Sequence, residues 1–183
     1  MKTRNNIARN NVLAVVIAGL LTSTAAFAAT DGTLGATSTG QLDLDLEVLD
    51  NVQISALDDI DFGQYGGGDS GDINAGDAYC VYVNGGDDYT ITPTSANGDF
   101  KLVGDSFADE ISYTVKFAGA PTGAASQSAV AYNNASATFG GSTETDCASS
   151  NNASVDVSIA EAQITSASTD TYSDTLILLV NPI

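Results

Sequence analysis

The run from Gln41 to Leu49 contains the strictest alternation of apolar and acidic side chains in the chain, and this pattern constrains the fold more than any other feature. Successive side chains of an extended strand point to opposite faces, so one face here is apolar and the other acidic. Such a strand must pair with a sheet, either in its own domain or in a neighbouring molecule. The apolar positions are Leu42, Leu44, Leu46 and Val48, and the acidic ones are Asp43, Asp45 and Glu47.

The chain begins with the features of a cleavable export signal. A basic start (residues 2–9) precedes an apolar run (12–21), and Ala26-Phe27-Ala28 supply the small residues expected before a signal peptidase cut. The apolar run is short for a transmembrane helix, and no second candidate follows. We therefore expect residues 1–28 to be removed and the mature protein to be exported without direct membrane insertion.

Removal of the signal would leave a strongly acidic protein. All 23 Asp and Glu residues remain, whereas only Lys101 and Lys116 of the five basic residues do, so the net charge becomes 2 − 23 = −21. Such a surface repels nucleic acid and anionic lipid, which are therefore not expected partners.

The rest of the sequence predicts an all-β sandwich or barrel, because short alternating runs are separated by Gly, Asn and Asp clusters and no helical period is seen. Asn84–Asp87 carries the clearest hairpin signal. The closing run is continuously apolar, as in a strand buried on both faces, and would need a cover. The predicted strands are 52–57, 78–83, 89–92, 100–103, 111–117, 155–159 and 172–180, with weaker ones near 129–132 and 137–139.

The sequence contains few residues or motifs that would indicate an enzyme. The chain has no histidine, which excludes His-based triads and imidazole metal ligands. No Gly-x-Ser-x-Gly elbow occurs, and nothing marks any pair of carboxylates as functional. We expect no enzyme activity and no cofactor.

Two cysteines, Cys80 and Cys147, remain in the mature chain. In an oxidising compartment an even count favours one disulfide, with a metal site or a free thiol as alternatives. The bridge would close a loop of 147 − 80 = 67 positions, which is worth roughly 4 kcal/mol on the loop-entropy model.

An oxygen-rich, glycine-broken stretch (69–77) resembles a calcium loop in composition. Its weak candidate ligands are Asp69, Asp72, Asn74 and Asp77. The spacing does not fit an EF-hand and no bidentate Glu follows, so we expect a solvated acidic turn and no metal.

Four segments, in order, carry a family resemblance. Thr39–Leu46 is similar to the N-terminal donor segment of archaic, Csu-type chaperone–usher pilins. Asp61–Tyr65 resembles the (L/I)-x-F-G-x-Y step of the related spore coat protein U domain, and Ala78–Val81 resembles a family strand ending in a cysteine. Thr171–Leu176 is similar to its closing Y-x-D-T-L strand.

One departure from the family stands out. Its strand after the donor segment usually carries a cysteine, but Asp50–Gln53 has none. Within this resemblance Cys80 pairs with Cys147 or with nothing.

The resemblance implies an incomplete immunoglobulin-like sandwich (50–183) behind a donor-strand extension (29–49). The protein would be a structural subunit of an extracellular pilus or fimbria, exported through the periplasm and serving adhesion or biofilm formation. Its partners would be a periplasmic chaperone, an outer-membrane usher and other subunits in a surface fibre. Leu42, Leu44, Leu46 and Val48 would plug the groove of the next subunit by donor-strand exchange.

A second reading stays open from the sequence. In it the protein is a monomeric secreted acidic β-sandwich that binds calcium or glycan, and 42–48 is a strand of its own domain.

Overall fold

The computed structural model describes residues 29–121 and 128–183. The predicted export signal, 1–28, lies outside the described residues. The chain separates into two compact units, of which the first ends at Glu47 and the second is Val48–Ile183. We call residues 29–47 the arm and Val48–Ile183 the sandwich.

The sandwich is nearly all β, as the alternating runs predict. Alternation puts every second side chain on the core side, and strands are by far the most common regular element of the described sandwich. No helix in the described residues is long and apolar enough to cross a bilayer. The elements are β1 (Val52–Ser55), β2 (Ile73–Val83), β3 (Asp88–Ser95), β4 (Lys101–Gly104), β5 (Glu110–Ser112), β6 (Thr114–Ala118), β7 (Ser128–Val130), β8 (Phe139–Gly140), β9 (Ala153–Ile159), α1 (Glu161–Ser166), β10 (Tyr172–Ser173) and β11 (Leu176–Pro182).

These strands form one five-stranded sheet and two three-stranded sheets. Their orders are β1-β2-β9-β6-β7, β10-β4-β5 and β11-β3-β8. All ladders between these strands are antiparallel. The sheets share one hydrophobic core, whose largest fully buried side chains include Tyr79, Tyr89, Phe117 and Ile91. This architecture is an immunoglobulin-like β-sandwich.

The predicted hairpin at Asn84–Asp87 is wrong. Both flanking strands exist, but β2 lies in the five-stranded sheet and β3 pairs with β11 and β8. Asn84–Gly86 forms a single 3-10 turn, in which Gly85 and Gly86 have φ of 81° and 76°. The glycines permit these left-handed angles, and here the turn takes the chain from one sheet to another.

Two further predicted strands are each divided. The 111–117 run keeps its buried face, since Ile111, Tyr113, Val115 and Phe117 are all buried, but it breaks at Tyr113. The first half, β5, pairs with β4, whereas the second half, β6, pairs with β7 and β9. The 172–180 run splits into β10 and β11, which belong to different sheets.

Candidate functional site

A cavity opens into the core beside the segment that follows β1. The chain leaves β1 at Ala56, whose φ of 59° is left-handed, and residues 57–62 join no ladder. Between this segment and the start of β11 lies a cavity of about 440 Å³. We call this cavity the groove. It is lined by residues 57–60, Phe62, residues 174–176 and Leu178, and also by Asp77, Leu102, Tyr113, Val155 and Val157.

The floor of the groove is part of the hydrophobic core. Val155 and Val157 come from β9 in the five-stranded sheet and are 3% and 6% exposed. Leu102 and Leu178 come from the smaller sheets and are partly buried against the same core. An apolar side chain entering the groove would therefore leave water and contact core residues on several sides.

β11 forms one edge of the groove and one edge of its sheet. It pairs with β3 along its whole length, and no described strand pairs with its other side. Backbone groups along such an edge are free to bond another strand. The expectation that this strand is buried on both faces is wrong, because Ile177 and Leu179 are 50% and 58% exposed. Only the alternate residues, including Leu178, pack on the core.

The carboxylate of Asp174 organises one end of the groove. Its Oδ2 accepts hydrogen bonds from Ser95 Oγ at 2.5 Å and from Tyr113 Oη at 2.7 Å. Its Oδ1 accepts one from the Thr175 backbone N–H at 2.7 Å. Burial raises the pKa of Tyr113, and the hydrogen bond to Asp174 raises it further, so the phenol stays a neutral donor.

Three more aspartates line the groove, and none of its lining residues is basic. Asp77 Oδ2 accepts a hydrogen bond from the backbone N–H of Asp58 at 2.9 Å, and Asp59 is exposed. The groove thus combines an apolar floor with acidic walls.

The four predicted plug residues are all exposed. Leu42, Leu44, Leu46 and Val48 are 68%, 89%, 85% and 72% exposed, and residues 42–48 belong to no strand. The arm holds one isolated bridge, in which Thr30 and Gln41 exchange two backbone hydrogen bonds of 2.9 Å. The role of these four side chains as plugs stays a prediction.

The disulfide between Cys80 and Cys147 is present, with the two Cα atoms 5.8 Å apart. Cys80 lies in β2, and Cys147 begins a 3-10 turn that ends at Ser149. The bridge therefore anchors the loop before β9 to the five-stranded sheet.

The weak metal candidates have separate structural roles. Asp69 Oδ2 accepts from the Gly66 N–H and Asp72 Oδ1 from the Glu161 N–H, each at 2.9 Å. Asn74 and Asp77 lie within β2. The described part of the chain contains no group of three or more Asp, Glu, His or Cys residues arranged to hold a metal.

Sequence patterns place several groove residues in strands but do not identify the groove. Leu102, Val157 and Leu178 are far apart in sequence, and the cavity exists only where their strands meet. The partial signal is the motif resemblance, because Phe62 and Asp174 both lie in matched motifs and both line the groove.

Comparisons with known proteins show the fold. No protein-family model matches the chain, and no curated protein matches it. It is similar to a chain from a solved structure described as "Chaperone-tip adhesin complex is vital for synergistic activation of CFA/I fimbriae biogenesis", with a TM-score of 0.52 and 13% identity. The match covers 73% of this chain and 43% of that one. At this identity the likeness shows a shared β-sandwich architecture.

Proposed function

We propose that this protein is a structural subunit of an extracellular pilus, assembled by the chaperone–usher route. In this proposal, residues 42–48 of one subunit enter the groove of the next and complete its sandwich as a donor strand. The observation that carries the proposal is the groove itself, an opening into the core beside the unpaired edge of β11. The likeness to a chain of a fimbrial chaperone–adhesin complex agrees with this reading.

Arm and groove match in chemistry and in length. Residues 42–48 supply four apolar side chains on one face, and the groove has an apolar floor. Residues 42–48 span seven positions, and β11 also has seven residues. A strand laid along β11 would bond its free backbone edge while alternate side chains fill the groove, which is the general mode of β-strand addition.

The energy available is sufficient for a stable joint. Full burial of a Leu or Val side chain contributes about 1.5–3 kcal/mol, so four plugs would contribute roughly 6–12 kcal/mol before the entropy of ordering the arm. Asp43, Asp45 and Glu47 would face away from the floor and stay hydrated. Their charges would keep the free arm soluble before assembly.

Export and partners follow from the same proposal. A subunit with an open groove needs a temporary occupant, which a periplasmic chaperone would supply before an outer-membrane usher delivers the subunit to the fibre. The finished fibre would lie on the cell surface and serve adhesion or biofilm formation. The alternative of a calcium-binding sandwich has less support, because Asp69, Asp72 and Asp77 each accept a hydrogen bond from a different backbone N–H.

The test is the response of purified exported protein to heating before gel electrophoresis in SDS. We expect an unheated ladder of oligomers that collapses to monomer on boiling. Leu44→Asp should abolish the ladder, because a charge would be buried on the apolar floor. Leu34→Asp is the matched control, since Leu34 lies in the arm, is fully exposed and falls outside the alternating run. A wild-type monomer without heating, or a ladder unchanged by Leu44→Asp, contradicts the proposal.

A further inference from the structure

Within the sandwich, the segment that precedes β1 is held by hydrogen bonds to a single residue, Asn84. The backbone N–H of Asn51 donates to Asn84 Oδ1 at 2.8 Å, and Asn84 Nδ2 donates to the carbonyl of Leu49 at 3.0 Å. The backbone N–H of Asn84 also donates to the carbonyl of Asn51 at 3.1 Å. We call these three hydrogen bonds the clamp.

The clamp depends on an amide side chain. Asparagine offers a carbonyl oxygen that accepts and an NH₂ group that donates, and both are used here within one short segment. A carboxylate would keep the acceptor for Asn51 but would place an oxygen against the carbonyl of Leu49. Alanine would remove both side-chain contacts.

The strands on either side of Asn84 hold its backbone in place. It opens the turn that leads from β2 to β3, and these strands belong to two different sheets. The residue before it, Val83, is fully buried and pairs with Val52 at the start of β1. A segment bonded to Asn84 is therefore held to the body of the sandwich.

The linker that the clamp holds, residues 49–51, is very short. Three residues, 49–51, separate the last proposed plug, Val48, from the first residue of β1, Val52. Three residues span about 10 Å at most when extended. If the plugs occupy a neighbouring subunit, these residues are the covalent connection between two sandwiches, and two of the three bond to Asn84.

We propose that Asn84 is a positioning residue that fixes the angle between consecutive subunits of the fibre. This inference rests on the proposed function and adds to it a determinant of fibre stiffness that is separate from the plugs and the groove. With the clamp closed, the linker has few conformations and the joint is stiff. Without the two hydrogen bonds of the Asn84 side chain, the same joint forms but bends more freely.

The test compares fibres of wild type, Asn84→Ala and the control Asn74→Ala by electron microscopy, with SDS ladders and monomer melting run in parallel. Asn74 is exposed in β2, and its side chain makes no hydrogen bond to any of the described residues. We expect all three proteins to form ladders. Persistence length should fall roughly two-fold in Asn84→Ala alone, because a freed linker samples more backbone conformations.

Asn84→Asp is the second variant, in case the alanine variant folds poorly. It keeps the acceptor for Asn51 and should give intermediate stiffness. Asn84→Ala or Asn84→Asp fibres as stiff as wild type would overturn the inference while leaving the proposed function intact. Loss of the ladder in a folded Asn84 variant would also overturn it, since a positioning role leaves plugs and groove unchanged. Absence of a ladder in wild type would remove the proposed function and this inference together.

Discussion

Three buried tyrosines make different use of their hydroxyl groups. Tyr113 stacks on Phe100, with ring centroids 5.5 Å apart, and donates its hydroxyl to Asp174. Tyr79 and Tyr89 are fully buried, and their hydroxyls have no hydrogen-bond partner within the described residues. Burial raises the pKa of both, which is the expected response of a phenol removed from water. A buried hydroxyl without a partner costs stability, whereas a paired one contributes to it.

Removing the hydroxyl should therefore have opposite consequences at two of these positions. We expect Tyr79→Phe to leave the free energy of unfolding unchanged or to raise it. Tyr113→Phe should lower it by about 1–2 kcal/mol, because the carboxylate of Asp174 loses a donor. Urea unfolding followed by circular dichroism measures both. An equal loss in the two variants would show that the Tyr79 hydroxyl has a partner.

At the scale of elements, the sequence predicts strands well and their pairing poorly. Val155, Val157 and Ile159 alternate in the sequence and are all buried in β9. The two strands around Asn84–Asp87 are also present, but a local turn signal does not reveal that the chain changes sheet there. Turn residues report backbone angles, and partner choice depends on distant strands, here β1 and β9 beside β2.

The last strand differs from its predicted burial for a related reason. A continuous apolar run indicates burial on both faces, yet Ile177 and Leu179 are half exposed on the outer side of β11. The groove could not be predicted from spacing alone, because residues from distant parts of the chain line it. Of the sequence signals, only the motif resemblance singles out both Phe62 and Asp174, which line the groove.

The disulfide gives an element-scale prediction. Replacing both Cys80 and Cys147 by alanine should lower the free energy of unfolding by up to about 4 kcal/mol, because the 67-residue loop is no longer closed in the unfolded chain. Urea midpoints of the variant and of wild type with and without reductant would check this. Reduced wild type should fall close to the variant. A wild-type midpoint that ignores reductant would mean that the bridge does not stabilise the fold.

At the scale of the whole molecule, two exposed apolar features find one explanation in the proposed function. The arm carries a row of exposed leucines, and the sandwich carries a groove into its core beside an unpaired strand edge. Each feature alone is a hazard for a folded protein, since exposed apolar rows and free edges promote aggregation. As two halves of one joint, they would direct association along a single path.

The joint between subunits is tested most directly by two variants with complementary defects. Leu44→Asp should prevent the arm from donating a strand but leave the groove able to receive one. Leu178→Asp should block the groove but leave the arm able to donate. Leu178 lines the cavity and is only partly buried, so the new carboxylate can stay hydrated until a donor strand arrives. The two are expressed separately and together with different tags, and unheated SDS gels are compared.

Each variant alone should run as a monomer. Together they should give one heat-sensitive dimer that carries both tags, and nothing larger, because only one good arm and one good groove are available. Absence of the dimer, or a ladder from either variant alone, would contradict the account of an arm that completes its neighbour.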